Sequence, residues 1–288
     1  MFSMEKYTAF AHAATGVNPF IPRSPSPNRW KLVVLSPLIV LRLATVAALV
    51  SLMAVLDLVP GVRNIMIPLL AHLTLTAAGF LSVNEVANDP RRTGLQTAPV
   101  SEADAFVVSQ YQSPVDILVA CSAISVPRNF VFPARDGRML VVRRVLQALR
   151  VALAAEQPDV GNFDEIPADS VVYACGARTN GRGLLVWPAA VVAKAGKRRV
   201  GVLAVQYDAA VPLTTDISGL RYLVELLGDF GHVLRYTQVG GVAAEGVRAA
   251  LSRVSGALSN EPVVETDLTV KKAEEFKRFH EKHMAKHE

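Results

Sequence analysis

The sequence predicts an α/β fold, a mixed sheet with flanking helices, preceded by an N-terminal membrane helical hairpin. From about residue 100, short runs rich in Val alternate with helical stretches, as in a sheet covered by helices. Two long apolar segments precede this pattern. Hydrophobic residues make up 51% of the chain and charged residues 19%, which is apolar for a soluble protein and indicates contact with lipid.

Composition also limits the partners and the compartment. The formal charge is +5, but the 30 basic and 25 acidic residues are spread along the chain, so no nucleic-acid-binding stripe is predicted. An anionic membrane phospholipid is the favoured partner. Cys121 and Cys175 are the only cysteines and have no CxxC spacing, which excludes a disulfide framework and a zinc motif and favours a reducing compartment.

Residues 1–30 are predicted to form an extended N-terminal arm. The run NPFIPRSPSPNRWK is rich in Pro, which lacks a backbone donor and biases the preceding residue toward extended backbone. The arm has no continuous apolar stretch before a small-residue cleavage site, so a cleaved secretory signal is not expected. Lys6, Arg23 and Arg29 outnumber Glu5, which leaves a mitochondrial transit segment open.

Residues 31–84 are predicted to form a membrane-embedded helical hairpin. The apolar runs 32–56 and 65–83 are long enough to cross ~30 Å of hydrocarbon or to enter one leaflet and return. A polar turn, DLVPGVRN, joins them, and basic residues flank the pair at both ends, which favours both ends on one side of the membrane. The alternative is a pair of buried core helices, since Arg42 and Pro68 interrupt the apolar pattern.

Residues 85–258 are predicted to form the α/β domain. The predicted strands are AFVVSQ, NFVFPA, SVVYAC, GLLVWP, VGVLAVQY and HVLRYTQV. The predicted helices are PVDILVACSA, LVVRRVLQALRVALAAE, ISGLRYLVELLG and AEGVRAALSRVSGAL.

Residues 259–288 are predicted to form a charged C-terminal helix. Its apolar side chains fall near one face, which fits contact with a partner or membrane surface; the alternative is a solvated helix. His280, His283 and His287 have a spacing that suits metal chelation. No carboxylate or Cys completes a closed ligand set, so no metal site is predicted.

Two segments of the domain resemble the sequence blocks of glycerolipid acyltransferases. QYQSPVD, residues 110–116, resembles their NHxSPxD block, and YACGARTNGRGLLVWP, residues 173–188, resembles their FPEGTxSNGRxLLxFP block. The opening MEKYTAFAHAATGVNPFIP, the apolar pair and the strand VGVLAVQYD extend the likeness over nearly the whole chain. The chain is most similar to the lysophosphatidic acid:oleoyl-CoA branch of this family.

This resemblance implies an acyltransferase-type mixed sheet and a known division of chemical roles. In the family, the His of the first block takes the proton of the lysophospholipid hydroxyl during attack on the acyl-CoA thioester, and the Asp orients the imidazole. The Glu of the second block helps to bind the glycerol phosphate, and the Arg after it contacts the phosphate with its forked donors.

The sequence departs from the family at the reacting positions. Tyr111 stands at the His position and Cys175 at the Glu position, while Ala174 and Ala177 replace the neighbouring Pro and Thr. The positions that keep the family residue are Ser113, Pro114, Asp116, Gly176, Arg178, Asn180, Gly181 and Arg182. The motif scaffold is therefore retained, whereas the catalytic base is not.

Tyr111 is a poor substitute for the missing base. A phenol titrates near pH ~10, so about one in a thousand is ionised at neutral pH, and a neighbouring carboxylate such as Asp116 raises the pKa further. His12, His72 and His232 are distant candidates for the base, each better explained as structural. Cys175 is a candidate nucleophile in an acyl-cysteine scheme, against the simpler reading of a buried small apolar residue.

The candidate site is therefore a degenerate catalytic set, Tyr111, Asp116 and Cys175, beside a predicted phosphate-binding set. The predicted phosphate-binding residues are Ser113, Gly176, Arg178, Asn180 and Arg182. The competing interpretation of the glycine-rich stretch is a turn between two strands with solvated arginines.

We therefore expect a catalytically inactive acyltransferase-like membrane protein that serves as a structural or lipid-binding subunit of a larger complex. The alternatives are an active lysophospholipid acyltransferase and a lipid carrier or sensor. No cofactor is expected, and acyl-CoA is a substrate only if the protein is active. Expected partners are membrane phospholipid and other proteins of a membrane complex, at the endoplasmic reticulum or a mitochondrial membrane.

Overall fold

The structure is a computed structural model that describes most of the 288-residue chain. The described residues are 4–21, 29–59, 61–96, 98–101, 104–124, 127, 129–133, 139–154, 166–167, 169–187, 191, 193, 199–208, 211, 219–229 and 231–284. The Pro/Ser-rich part of the predicted arm and the last predicted tail histidine, His287, lie outside these residues.

A seven-stranded mixed sheet forms the centre of the described structure, as the sequence predicted. Its strands are β1 (Phe80–Glu85), β2 (Val107–Ser109), β3 (Asn129–Pro133), β4 (Met139–Val142), β5 (Ser170–Tyr173), β7 (Arg199–Tyr207) and β8 (His232–Ala243). Their order is β1-β8-β7-β2-β5-β3-β4. Strands β7, β2, β5 and β3 run parallel, while β8 and β4 are antiparallel to their inner neighbours. Two short strands, β6 (Gly183–Leu184) and β9 (Val264–Glu265), pair separately.

Both faces of the sheet are buried, because successive side chains of a strand point to opposite sides. Val107 and Val171 belong to one hydrophobic cluster, whereas Val108 and Val172 belong to the other. Continuous Val-rich runs therefore suit the central strands, which are covered on both sides. The result is a sheet between two helical layers.

The helices divide between the two faces of the sheet. They are α1 (Arg29–Val34), α2 (Ser36–Leu56), α3 (Arg63–Ala77), α4 (Pro90–Thr93), α5 (Asp116–Ala123), α6 (Val145–Leu153), α7 (Gly219–Leu227), α8 (Val247–Ser259) and α9 (Val270–Met284). Helices α2, α3, α5, α6 and α7 contribute to the first cluster, which we call the α2-side core. Helices α8 and α9, with the amino end of the chain, contribute to the second.

The two apolar N-terminal runs fold differently from each other. Helix α2 has 21 residues and, of the helices in the described ranges, is the one long and apolar enough to cross a membrane. The run 65–83 was expected to be one membrane segment, but α3 ends at Ala77 and Phe80 begins strand β1. Gly79 makes the change of direction with φ +105°, a conformation that glycine adopts readily. At 15 residues, α3 is about 22 Å long, which is short of a full crossing.

A second correction concerns residues 140–156, which the sequence predicted as one helix. Leu140, Val141 and Val142 instead belong to edge strand β4, and the helix begins only at Val145. The short apolar run at residues 140–142 is compatible with a helix or a strand, so local periodicity does not distinguish them. Its pairing with β3 makes it a strand.

The two ends of the chain pack together. Residues 4–10 form a 3-10 helix rather than an extended arm. The rings of Tyr7, Phe10 and Phe20 contact Phe276 of α9 at centroid distances of 5.4–5.7 Å. Phe276 and Ala273 are therefore buried inside the molecule, so the apolar stripe of the C-terminal helix is already covered by the amino end of the same chain.

Candidate functional site

The fold brings the two motif segments side by side. Strands β2 and β5, which precede the two segments, are paired in parallel. The backbone N–H of Thr179 donates to the carbonyl of Tyr111 at 2.9 Å, and the Gln112 side chain lies against Gly181, where a Cβ would be only 2.6 Å from its Oε1. The family-like spacing along the chain thus corresponds to a contact in space.

Tyr111 lies inside the α2-side core. Its ring contacts the rings of Phe132 and Tyr173 at centroid distances of 5.7 and 5.6 Å, and its hydroxyl donates to the carbonyl of Ala152, at the end of α6, at 3.1 Å. Burial raises the pKa of Tyr111 to about 12; the charge of Arg178 offsets part of the rise and Asp116 adds to it. The phenol is therefore protonated at neutral pH, and its proton is already donated to a carbonyl at the end of α6.

Asp116 is fully buried at the first position of α5. Its Oδ2 accepts from the backbone N–H groups of Gln112 and Ser113 at 2.7 and 2.9 Å, and its Oδ1 accepts from the Tyr207 hydroxyl. Burial raises the pKa of Asp116 to about 6, against the lowering effect of these three donors. The carboxylate holds the SPVD turn closed, and no histidine is among its partners in the described part of the chain.

Three tyrosines that the sequence argument did not single out surround this turn. The Tyr173 hydroxyl donates to the carbonyl of Asp116 at 3.1 Å, Tyr207 donates to its carboxylate, and Tyr222 shares a hydrogen bond with Ser113 Oγ. Tyr173 is readable from the sequence as the aromatic residue that opens the second block. Tyr222 gives no such signal, since it comes from helix α7, far along the chain.

Cys175 is buried in the turn that follows β5. Burial raises the pKa of its thiol, and the backbone N–H groups of Leu185 and Tyr111 offset only part of the rise. A fully covered thiol with a raised pKa is a weak nucleophile, so the geometry favours the reading of Cys175 as a core residue.

The five predicted phosphate-binding residues do not converge on one point. Ser113 is buried against Tyr222, and Gly176, with φ +62°, packs so closely that a Cβ would lie 2.9 Å from the carbonyl oxygen of Pro133. The Asn180 amide donates to the carbonyls of Asn18 and Ile21, each at 3.0 Å, and so fastens the amino end of the chain. Arg182 is half exposed, 3.5 Å from Glu261.

Arg178 differs from the other four. Its side chain is only 7% exposed, and none of the hydrogen bonds or ion pairs of the described residues involves its guanidinium. Its charge acts on the phenols of Tyr111 and Tyr222, which places it near the first of the two motif segments. A buried guanidinium without a counter-ion strongly favours an anion such as phosphate beside it.

The other histidine candidates lie elsewhere. His12 bonds to Thr15 near the amino end, and His72 is exposed on α3. His232 is buried at the start of β8, where its Nε2 bonds to the carbonyl of Leu226 at 3.0 Å. His280 of the C-terminal helix packs on Phe276. Within the described ranges, no group of three or more His, Cys, Asp or Glu residues is arranged to hold a metal ion.

Comparison of the chain with protein-family models, with curated proteins and with solved structures gave no match in any of the three.

Proposed function

We propose that this protein is a catalytically inactive acyltransferase-like protein that works at a membrane as a structural or phospholipid-binding subunit of a larger complex. The observation that carries the proposal is the state of Tyr111. Its phenol stands where the family's base stands, is buried, and already donates to Ala152. A general base must reach the proton that it removes, and loss of such a base costs roughly 10²- to 10⁴-fold in rate.

The state of Asp116 supports the same proposal. In the acyltransferase scheme this carboxylate orients an imidazole, but here its two oxygens receive two backbone N–H groups and a phenol. These hydrogen bonds stabilise the turn before α5, so Asp116 has a structural role there.

The membrane part of the proposal rests on α2 and on the exposed apolar side chains around it. We propose that α2 and α3 form a membrane-embedded hairpin, with the compartment either the endoplasmic reticulum or a mitochondrial membrane. The bound ligand would be an anionic phospholipid whose phosphate pairs with Arg178, because that guanidinium has no counter-ion among the described residues.

The test of inactivity is an acyl-transfer assay with lysophosphatidic acid and oleoyl-CoA. The unmodified protein and the Asp116→Asn variant should both stay at the background rate, because neither has a reachable base. The double variant Tyr111→His with Cys175→Glu serves as the comparison. Turnover by the unmodified protein that equals the double variant and is lost in Asp116→Asn would establish the alternative, an active lysophospholipid acyltransferase.

The test of lipid binding is native mass spectrometry of the purified full chain with added phosphatidic acid. Arg178→Gln should weaken retention about tenfold or more, since a hydrogen-bonded charge is worth ~1.5–3 kcal/mol. Arg182→Gln is the matched control and should retain the lipid, because Arg182 is half exposed and lies beside Glu261. Equal retention by both variants would contradict a phosphate site at Arg178.

A further inference from the structure

Helix α2 is fixed to the globular domain at both ends. Near its start, Arg42 donates to the carbonyls of Leu227 and Asp229, both at 2.8 Å, and so caps the carboxyl end of α7. At its end, Asp57 accepts from the backbone N–H of Val145 at 3.1 Å and so caps the start of α6. Both α6 and α7 belong to the α2-side core on one face of the sheet.

The distance between these two attachments conflicts with a membrane crossing. Arg42 and Asp57 are separated by fifteen residues of helix, about 22 Å along the axis. In a crossing helix, the two points would lie in opposite leaflets of a hydrocarbon layer ~30 Å thick. Helices α6 and α7 would then have to follow them into the bilayer, although both pack on the sheet.

The loop after α2 is held in the same way. Arg63 pairs with the side chain of Asp57 at 2.6 Å and donates to the carbonyl of Pro127 at 2.9 Å. Helix α3 then turns one stripe inward, with Ile67, Ala71 and Leu75 fully buried. The pair therefore lies along the domain.

The outer sides of the two helices carry apolar side chains without a cover. Leu41 and Val55 of α2 are 64% and 60% exposed, and Ile65 of α3 is 73% exposed. Leu69 and Leu73 continue the exposed stripe of α3 at four-residue intervals. Because α2 and α3 pack on each other, these side chains form one surface, which we call the apolar face. A surface of this kind marks an interaction site.

The charges around the apolar face indicate its occupant. Arg42, the charged residue within α2, is turned inward to the end of α7, so the outer side of that helix carries no charge. Helices α1, α2, α3, α6 and α7 contain a single acidic residue, Glu225, and it is paired with Arg221 at 2.9 Å. Arg143 and Arg144, just before α6, and Arg150 within it are exposed, and α6 packs on α2.

We infer that the apolar face lies in the plane of a membrane surface, with α2 inserted into one leaflet and the exposed arginines beside anionic headgroups. This inference rests on the membrane association proposed above and fixes its geometry. An apolar surface with exposed basic residues on a neighbouring helix suits the surface of a membrane that contains anionic lipids. A second copy of the chain fits less well, because pairing two such faces would bring their arginines together.

The depth of fluorescent labels on α2 in a bilayer, measured by quenching, distinguishes a helix that lies in the membrane plane from one that crosses the membrane. The full chain is prepared with one added cysteine at Leu41→Cys, Ala48→Cys or Val55→Cys, each on the exposed side of α2. Cys121 and Cys175 are buried and do not compete for the label. The labelled proteins are mixed with phosphatidylcholine vesicles, with or without phosphatidylserine, that carry quenchers at shallow or deep acyl positions.

The expected result is the same shallow depth at all three positions and stronger binding when phosphatidylserine is present. A label at residue 48 that lies much deeper than those at 41 and 55 would show a crossing helix; it would overturn the in-plane inference and leave membrane association intact. If the protein does not bind vesicles, whether as a monomer or as a dimer, both the inference and the proposed membrane association are wrong.

A pair of charge variants supplies a second readout. Val55→Asp should reduce vesicle binding about tenfold or more, because it removes apolar area and places a carboxylate against the hydrocarbon. Val186→Asp is the matched control, an exposed valine outside the apolar face, and should bind like the unmodified chain. Equal losses in the two variants would contradict the assignment of the face.

Discussion

At the residue scale, the site is a set of motif positions whose side chains have taken structural partners. Asp116 matches the residue type of the acyltransferase-like motif but bonds to the turn and to Tyr207. Asn180 also matches its motif position, yet its amide holds the carbonyls of Asn18 and Ile21. Identity at a motif position therefore does not fix the role of the residue, because role depends on what the fold places within hydrogen-bonding distance.

The buried carboxyl of Asp116 makes a testable contribution to stability. Its pKa is raised from 3.8 to about 6, so the folded state favours the protonated form. That stabilisation is fully present below the unfolded pKa and is lost as the pH rises through about 6. Relative to Asp116→Asn, which cannot ionise, the unmodified protein should lose roughly 2 kcal/mol of unfolding free energy between pH 4 and pH 7, at ~1.4 kcal/mol per pKa unit.

Urea unfolding in mild detergent at several pH values measures this difference. Asp267→Asn is the control, because its carboxylate is largely exposed, and its unfolding free energy should follow that of the unmodified protein. Parallel pH curves for the unmodified protein and Asp116→Asn would show that the Asp116 carboxyl does not titrate differently on unfolding.

At the element scale, local sequence periodicity predicts where a helix forms, whereas tertiary contacts determine what its apolar side packs against. The C-terminal helix α9 follows its predicted period, but what covers its apolar stripe was left open between a partner, a membrane and solvent. The structure places Tyr7, Phe10 and Phe20 there. Rings from both ends of the chain meet, a contact that no local pattern specifies.

Removal of the Phe276 ring, which lies at the centre of this aromatic cluster, should weaken the packing of both chain ends on the domain. Phe276→Ala deletes a fully buried side chain and should cost about 3–5 kcal/mol of unfolding free energy. Phe279→Ala is the matched control on the same helix; its ring is only half-buried, so the loss should be clearly smaller. Chemical unfolding with limited proteolysis of residues 4–21 measures both effects. Equal costs for the two variants would contradict a central role for Phe276.

At the scale of the whole molecule, the arrangement of layers relates the degenerate site to the apolar face. Tyr111 belongs to the same hydrophobic core as Ile39 and Met53 of α2 and as α6, whose end receives the Tyr111 hydroxyl. The elements that fix α2 along the domain therefore also enclose the phenol.

The sequence by itself determined the α/β class, the order of most strands and helices along the chain, and the presence of Tyr111 and Cys175 in the two motif-like segments. These follow from local periodicity and residue identity. Tertiary structure alone decided that residues 80–85 join the sheet, that residues 139–142 pair as a strand, and that α2 lies along the domain. Each of these outcomes depends on partners distant in sequence, such as β8 for β1 and the end of α7 for Arg42, and a local pattern carries no information about which distant groups become neighbours.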